Sequence, residues 1–91
     1  MQSAAFEIPS SVLFREVEGE MVLLELETEG YYGLDPVGAR MITLVTALPY
    51  PEAIRLLKEE FTVDPDVLQR DLSALIDELI DAKLLRRIAG G

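Results

Sequence analysis

Residues 31–42 read Tyr31-Tyr32-Gly33-Leu34-Asp35-Pro36-Val37-Gly38-Ala39-Arg40-Met41-Ile42, and they carry the chain from one kind of secondary structure into another. The first four residues form a short β-type run. Asp35 then offers a side-chain acceptor and Pro36 a preset φ, which together are helix-start chemistry. From Pro36 to about Ala47, Met41, Ile42, Leu44 and Val45 recur at helical spacing. The stretch predicts a short strand, a cap and a helix in direct succession.

Upstream, Val12–Glu18 and Met21–Glu27 are β-rich runs separated by Gly19-Glu20, which predicts a tight hairpin of type II′ or I′. Side chains alternate along a strand, so Val22, Leu24 and Leu26 share one face while Met21, Leu23, Glu25 and Glu27 share the other. One face is wholly apolar, the other mixed, as in a half-buried antiparallel strand. Thr28-Glu29-Gly30 supplies the next turn. Downstream, Leu48-Pro49-Tyr50-Pro51 ends the first helix and Pro51 opens a second through Glu60, with Ala53, Ile54, Leu57 and Phe61 in phase. Asp64-Pro65 repeats the cap signature and starts a third helix running to about Lys83.

Strands grouped before helices predict an α+β domain, a three-stranded antiparallel sheet with three helices on one face. The helix-turn-helix at 51–83, taken with the β elements, makes the whole winged-helix-like. The 91 residues form a single domain, 1–91, in which 1–11 (with Pro9 and two serines) and 88–91 are expected to be mobile.

Composition removes many functions. With no cysteine and no histidine the chain offers no thiolate nucleophile, imidazole base, disulfide or common zinc site, so no catalytic residue, metal or cofactor is expected. Asp64-Pro65-Asp66 lacks calcium-loop spacing, and the glycines of residues 30–38 lack phosphate-loop spacing. Seventeen acidic residues against eight basic ones, a net charge of −9, oppose nucleic-acid binding. The apolar runs are too short to span a membrane, and no apolar h-region follows Met1, so a cytoplasmic location is expected.

Two features stand apart from the packing pattern. On the third helix Leu68, Leu72, Leu75 and Leu79 fall in one arc and read as core. The adjoining flank of Val67, Asp71, Ala74 and Glu78 is either an ordinary core-to-solvent boundary or one wall of a groove, with Ala74 permitting close approach. The second feature is the short run 31–34. Placed last in the meander it is an edge strand, and it carries none of the charge or proline that usually blunts an edge. Such an edge is covered by the protein itself or receives a partner strand, and Gly33 could equally mark a bulge.

The segment 31–42 resembles the centre of the PqqD-like family, the recognition elements of ribosomally made, modified peptides. The family pattern is an aromatic strand, then Leu-Asn/Asp-x-x-Gly opening a helix, with a bulky apolar residue four positions on. Tyr32, Leu34, Asp35, Gly38 and Ile42 occupy those positions, and the likeness extends from Leu13 to about Leu85. Many relatives carry tryptophan where Ile42 stands. Stand-alone chains of this size look most like the leader-binding proteins of lasso-peptide biosynthesis.

The resemblance implies a non-enzymatic function. The leader of a precursor peptide would add as an antiparallel strand to Tyr31, Tyr32, Gly33 and Leu34. It would lie in a cleft whose helical side is drawn from Val67, Arg70, Asp71, Ala74, Leu75 and Glu78. The implied partners are a leader-cleaving cysteine protease and an ATP-dependent macrolactam synthetase. Other readings are a PqqD-type peptide chaperone for a radical enzyme, a winged-helix DNA binder, and a sulfur carrier ending in Gly90-Gly91. Residues 65–83 carry five acids against Arg70 and Lys83, which opposes DNA. A carrier fold would split its strands around the principal helix.

Overall fold

The computed structural model describes residues 4–88. In chain order the elements are β1 (Phe6–Glu7), β2 (Val12–Val17), β3 (Glu20–Glu25), β4 (Tyr31–Leu34), α1 (Pro36–Val45), α2 (Tyr50–Glu60), α3 (Pro65–Asp81) and β5 (Arg86–Arg87). Strands β2, β3 and β4 form an antiparallel sheet in that order, followed by the three helices, which is the α+β arrangement read from the sequence. β1 and β5 make a separate two-stranded sheet. Among the described residues no helix is long and apolar enough to cross a membrane.

The hairpin turn sits one residue earlier than expected. Val17 pairs with Glu20, so the connection is Glu18-Gly19, and both residues have positive φ, 54° and 86°. Positive φ at both central positions is the type I′ turn, whose twist matches the flanking strands and which favours glycine second. Gly19 therefore follows the strain at Glu18 instead of opening the turn.

The sheet also faces the other way from what its apolar pattern suggests. Met21, Leu23 and Glu25 are buried, whereas Val22 and Leu26 are exposed and Leu24 is half-buried. The mixed face of β3 is the core face because its one acid is satisfied inside. The Glu25 carboxylate accepts from the Glu27 amide at 2.8 Å and from the Ser11 hydroxyl at 3.4 Å, so it closes the β3–β4 turn without an orphaned charge.

The lead-in at 1–11, expected to be mobile, contains β1. Phe6 is buried, stacks edge-on against Tyr50 with ring centroids 6.1 Å apart, and lies under the Arg87 guanidinium at 5.2 Å. A fully buried aromatic is worth about 1.5–3 kcal/mol, enough to hold a two-residue strand that has no propensity signal of its own. Ile88 also donates its amide to Ala5 at 2.8 Å, and positions 89–91, with the terminal glycines, lie outside the described residues.

The core stripe of α3 is Leu68, Leu72, Ile76 and Leu79. Ile76 replaces Leu75, which is only half-buried. The arc is centred between the 68–72–79 row and Ile76, so Leu75 falls at its margin. The helix closes in a Schellman motif. Leu84 donates to the Leu79 carbonyl at 2.9 Å and Lys83 to Ile80 at 3.0 Å, with Lys83 at φ 62°. Left-handed geometry costs a lysine roughly 1–2 kcal/mol that glycine avoids. Lys83→Gly is expected to stabilise the fold by about 0.5–1 kcal/mol after the entropy that glycine adds to the unfolded chain. For a domain of this size that raises Tm by a few degrees. A thermal melt checks it, and an unchanged or lower Tm contradicts the cap.

Candidate functional site

β4 passes into α1 through one residue. The Asp35 carboxylate accepts the Gly38 amide at 2.8 Å, capping α1 while Pro36 stands where no amide is needed. A methyl group on Gly38 would stand 3.3 Å from that carboxylate oxygen and 3.4 Å from a Leu34 methyl. The glycine of the Leu-Asp-x-x-Gly pattern thus makes room for both its neighbours. Leu34 is driven into the core by this turn, and β4 cannot extend further.

One edge of β4 pairs with β3. The other edge pairs with no strand among the described residues, and which backbone groups it presents follows from the register. Glu25 donates its amide to the Gly30 carbonyl at 2.8 Å, so Glu25 and Gly30 are a hydrogen-bonded pair. With Leu24 opposite Tyr31, Leu23 opposite Tyr32, Val22 opposite Gly33 and Met21 opposite Leu34, bonded and non-bonded pairs must alternate. Tyr32 and Leu34 therefore direct their amide and carbonyl toward β3. Tyr31 and Gly33 direct theirs outward. Nothing lies within 4 Å of where a Gly33 side chain would begin, so the position is open and not a bulge forced by crowding.

Between β4, the start of α1 and α3 runs a cleft of about 390 Å³, lined by Tyr32, Gly33, Leu34, Asp35, Val37, Gly38, Met41, Asp71 and Leu75. Its floor is apolar, from Leu34, Met41 and Leu75, and its rim carries the carboxylates of Asp35 and Asp71. At one end the Tyr32 hydroxyl donates to the Glu78 carboxylate and bridges strand to helix. That hydrogen bond, then desolvation and the negative charge of Glu78, hold the Tyr32 phenol above its ordinary pKa. α3 thus stands across the cleft from β4, with Glu78 bonded to Tyr32 and with Asp71 and Leu75 in the lining.

Of the residues singled out from the sequence, Tyr32, Gly33, Leu34, Asp71 and Leu75 come together in the cleft, and Glu78 joins through Tyr32. Tyr31 sits at the same edge but on the outer face of the sheet, 76% exposed. Val67, Arg70 and Ala74 lie farther round α3, exposed and outside the cleft lining. Four lining residues fall outside the sequence-derived site: Val37 and Met41, and also Asp35 and Gly38, which the sequence reading places only in the helix start. Met41 shares the helical period of the core stripe, and only the packing of α1 under β4 shows that it also floors the cleft.

If the Tyr32–Glu78 bond is what raises the phenol, Glu78→Gln moves a single tyrosine ionisation to lower pH. Stability from this bond is present below the ordinary phenol value and is lost as pH rises through the raised one. A tyrosinate absorbance titration of both proteins checks this; superimposable curves contradict the bond.

Among known proteins, residues 20–85 match the family described as Coenzyme PQQ synthesis protein D (PqqD). Comparison with curated proteins by sequence gives no match. Among solved structures, the chain is similar to TbiB1 in complex with the TbiA(beta) leader peptide. The TM-score is 0.82 at 32% identity, over 91% of this chain and 98% of that one. It is also similar to a lasso peptide synthetase B1 complexed with the leader peptide, with a TM-score of 0.81 at 20% identity, over 91% and 99%. The second likeness speaks for the fold alone. A family match over most of the length, on the segment that builds the strand, the cap and the cleft, makes this chain a member of the PqqD family.

Proposed function

We propose that this protein binds the leader region of a ribosomally made precursor peptide, without catalysing a reaction on it, for delivery to processing enzymes of the lasso-peptide type. The observation that carries the reading is the free edge of β4, with the Tyr31 and Gly33 backbone groups turned outward, standing beside an apolar cleft under α3. The likeness to TbiB1, described in complex with a leader peptide, supports it.

The geometry divides affinity from selectivity. A four-residue strand with two outward-facing residues offers about four backbone hydrogen bonds to an added strand. At about 0.5–1.5 kcal/mol each these total roughly 2–6 kcal/mol, part of which is offset by ordering the peptide. Micromolar binding needs about 8 kcal/mol, so side chains must supply the remainder. Leader residues opposite Tyr32 and Leu34 share their face and point into the cleft. An aromatic or proline side chain there would meet Leu34, Met41 and Leu75, and a neighbouring lysine or arginine would meet Asp71 or Glu78. The same carboxylates disfavour a phosphate backbone against α3, which weighs against the DNA-binding reading.

The leader-cleaving cysteine protease and the macrolactam synthetase are the proposed recipients of the bound leader. The chain itself holds no thiol or imidazole to cleave it. The purified protein is expected to leave its precursor intact; cleavage by the chain alone, with contaminating protease excluded, contradicts this.

Gly33→Pro removes an outward amide and leaves the β3–β4 ladder intact, whereas Tyr32→Pro removes a ladder amide. In a titration with fluorescent leader peptide, Gly33→Pro is expected to lose tenfold or more in affinity with a small change in Tm. Tyr32→Pro is expected to lower Tm by several degrees. Leader affinity unchanged in a folded Gly33→Pro protein rules out strand addition at β4.

A further inference from the structure

Three carboxylates border the cleft beside β4, and no basic residue lines it. Two of the three are engaged. Asp35 accepts the Gly38 amide and Glu78 accepts the Tyr32 hydroxyl. The Asp71 carboxylate accepts no hydrogen bond and joins no ion pair among the described residues, whose ion pairs are Arg40–Glu60, Arg55–Glu59 and Arg86–Glu7.

Folding does not explain this acid. It stands beyond the first turn of α3, which begins at Pro65, so it gains nothing from the helix dipole. The residues three and four positions away are Val67, Leu68, Ala74 and Leu75, so no base on the helix pairs with it. Its neighbours in the cleft are apolar: Leu75 on the same wall, with Leu34 and Met41 on the floor. A peptide laid across that wall takes water away from the carboxylate. Removing water from an unpaired charge is unfavourable unless an opposite charge arrives with the same ligand.

We propose that Asp71 is a specificity-determining residue of the cleft, and that it selects leaders carrying a lysine or arginine just before the residue that faces Leu34. The proposal rests on the leader-binding reading above and names which leaders satisfy it. Discrimination comes mainly from the penalty, because a leader without that cation leaves Asp71 dehydrated and unpaired.

The position of the cation follows from two spacings. Asp71 and Glu78 lie on one helix, about 10 Å apart at 1.5 Å per residue. Glu78 marks the Tyr32 end of the cleft, and the lining leads from there past Leu34 to Asp35, Val37 and Gly38 at the start of α1. A strand advances about 3.3 Å per residue, so the cation stands about three or four residues along the leader from the one facing Tyr32. Antiparallel addition, the more stable per residue, makes that the N-terminal direction. The lysine or arginine therefore precedes the residue facing Leu34 by about one or two positions.

The test is a double-mutant cycle between Asp71→Asn, which keeps the shape of the side chain and removes its charge, and replacement of that leader lysine or arginine by glutamine. The probe is a synthetic fluorescent leader peptide from the precursor of the same biosynthetic system, titrated at low and high salt. Asp77→Asn, exposed on α3 and outside the cleft lining, changes the net charge equally and is the control.

Each single change is expected to weaken binding by about five- to tenfold, and the double change by little more than either alone. Asp77→Asn should bind as wild type does, and rising salt should weaken the wild-type complex more than that of Asp71→Asn. Independent effects in the cycle overturn the proposal, as does unchanged affinity of a folded Asp71→Asn protein or an equal loss from Asp77→Asn. A native leader with no lysine or arginine in that segment also overturns it. All of these results leave strand addition at β4 standing. Failure of the wild type to bind leader at all is a separate result that removes the leader reading itself.

Discussion

The hydrogen bond from the Gly38 amide to the Asp35 carboxylate governs how the rest of the molecule is arranged. It ends β4 after four residues and starts α1 at once, so the sheet stops at three strands and the chain crosses onto its inner face. α1 then buries Ala39, Met41, Ile42, Leu44 and Val45 beneath β3 and β4, and α2 and α3 pack onto it. Because no further strand joins this sheet, the outward backbone groups of Tyr31 and Gly33 have no strand partner among the described residues. The free edge and the cleft are consequences of one cap.

A three-stranded sheet has two such edges, and they are not equivalent. By the same alternation, β2 directs Val12, Phe14 and Glu16 outward, since Ser11 and Leu26 form a hydrogen-bonded pair, but the Val12 amide already donates to the Pro9 carbonyl at 3.0 Å and only Phe14 and Glu16 offer open amides. A slot between β2 and α1, lined by residues including Ile8, Phe14, Met21 and Ile42, lies beside it. Each edge thus faces a helix, and what distinguishes β4 is that its helix brings carboxylates to the cleft, where α1 brings Thr43 and Thr46 to the slot beside β2. Asp71, Leu75 and Glu78 on α3 give an added strand side-chain partners as well as backbone ones. Selectivity among peptides needs that second wall, because backbone hydrogen bonds alone do not read sequence.

Much of this was legible in the sequence, and the exceptions share a cause. Tyr31–Leu34, the two Asp-Pro caps and the periodic helices are local signals, set by turn chemistry and spacing. Tyr32, Leu34, Asp71, Leu75 and Glu78 were recognisable one by one, but nothing local says that α3 packs across from β4 and brings them together. The buried face of β3 is not legible from its apolar count, because Glu25 is buried through hydrogen bonds it accepts from the Glu27 amide and the Ser11 hydroxyl, which depend on the turn. β1 and β5 escaped because two-residue strands have no periodicity, and what holds them is tertiary: Phe6 on Tyr50, Arg87 over Phe6 and the Arg86–Glu7 ion pair. Met41 escaped because a core residue and a cleft floor look alike on a helical period.

The account stands on the leader choosing β4 over β2, and amide-resolved NMR with hydrogen exchange on the labelled protein decides between them. On adding leader peptide, the amides of Tyr31 and Gly33 should shift and gain protection, and those of Phe14 and Glu16 should keep their free-state exchange rates. Protection gained at Phe14 and Glu16 instead, or at neither edge while the peptide is bound, would contradict strand addition at β4.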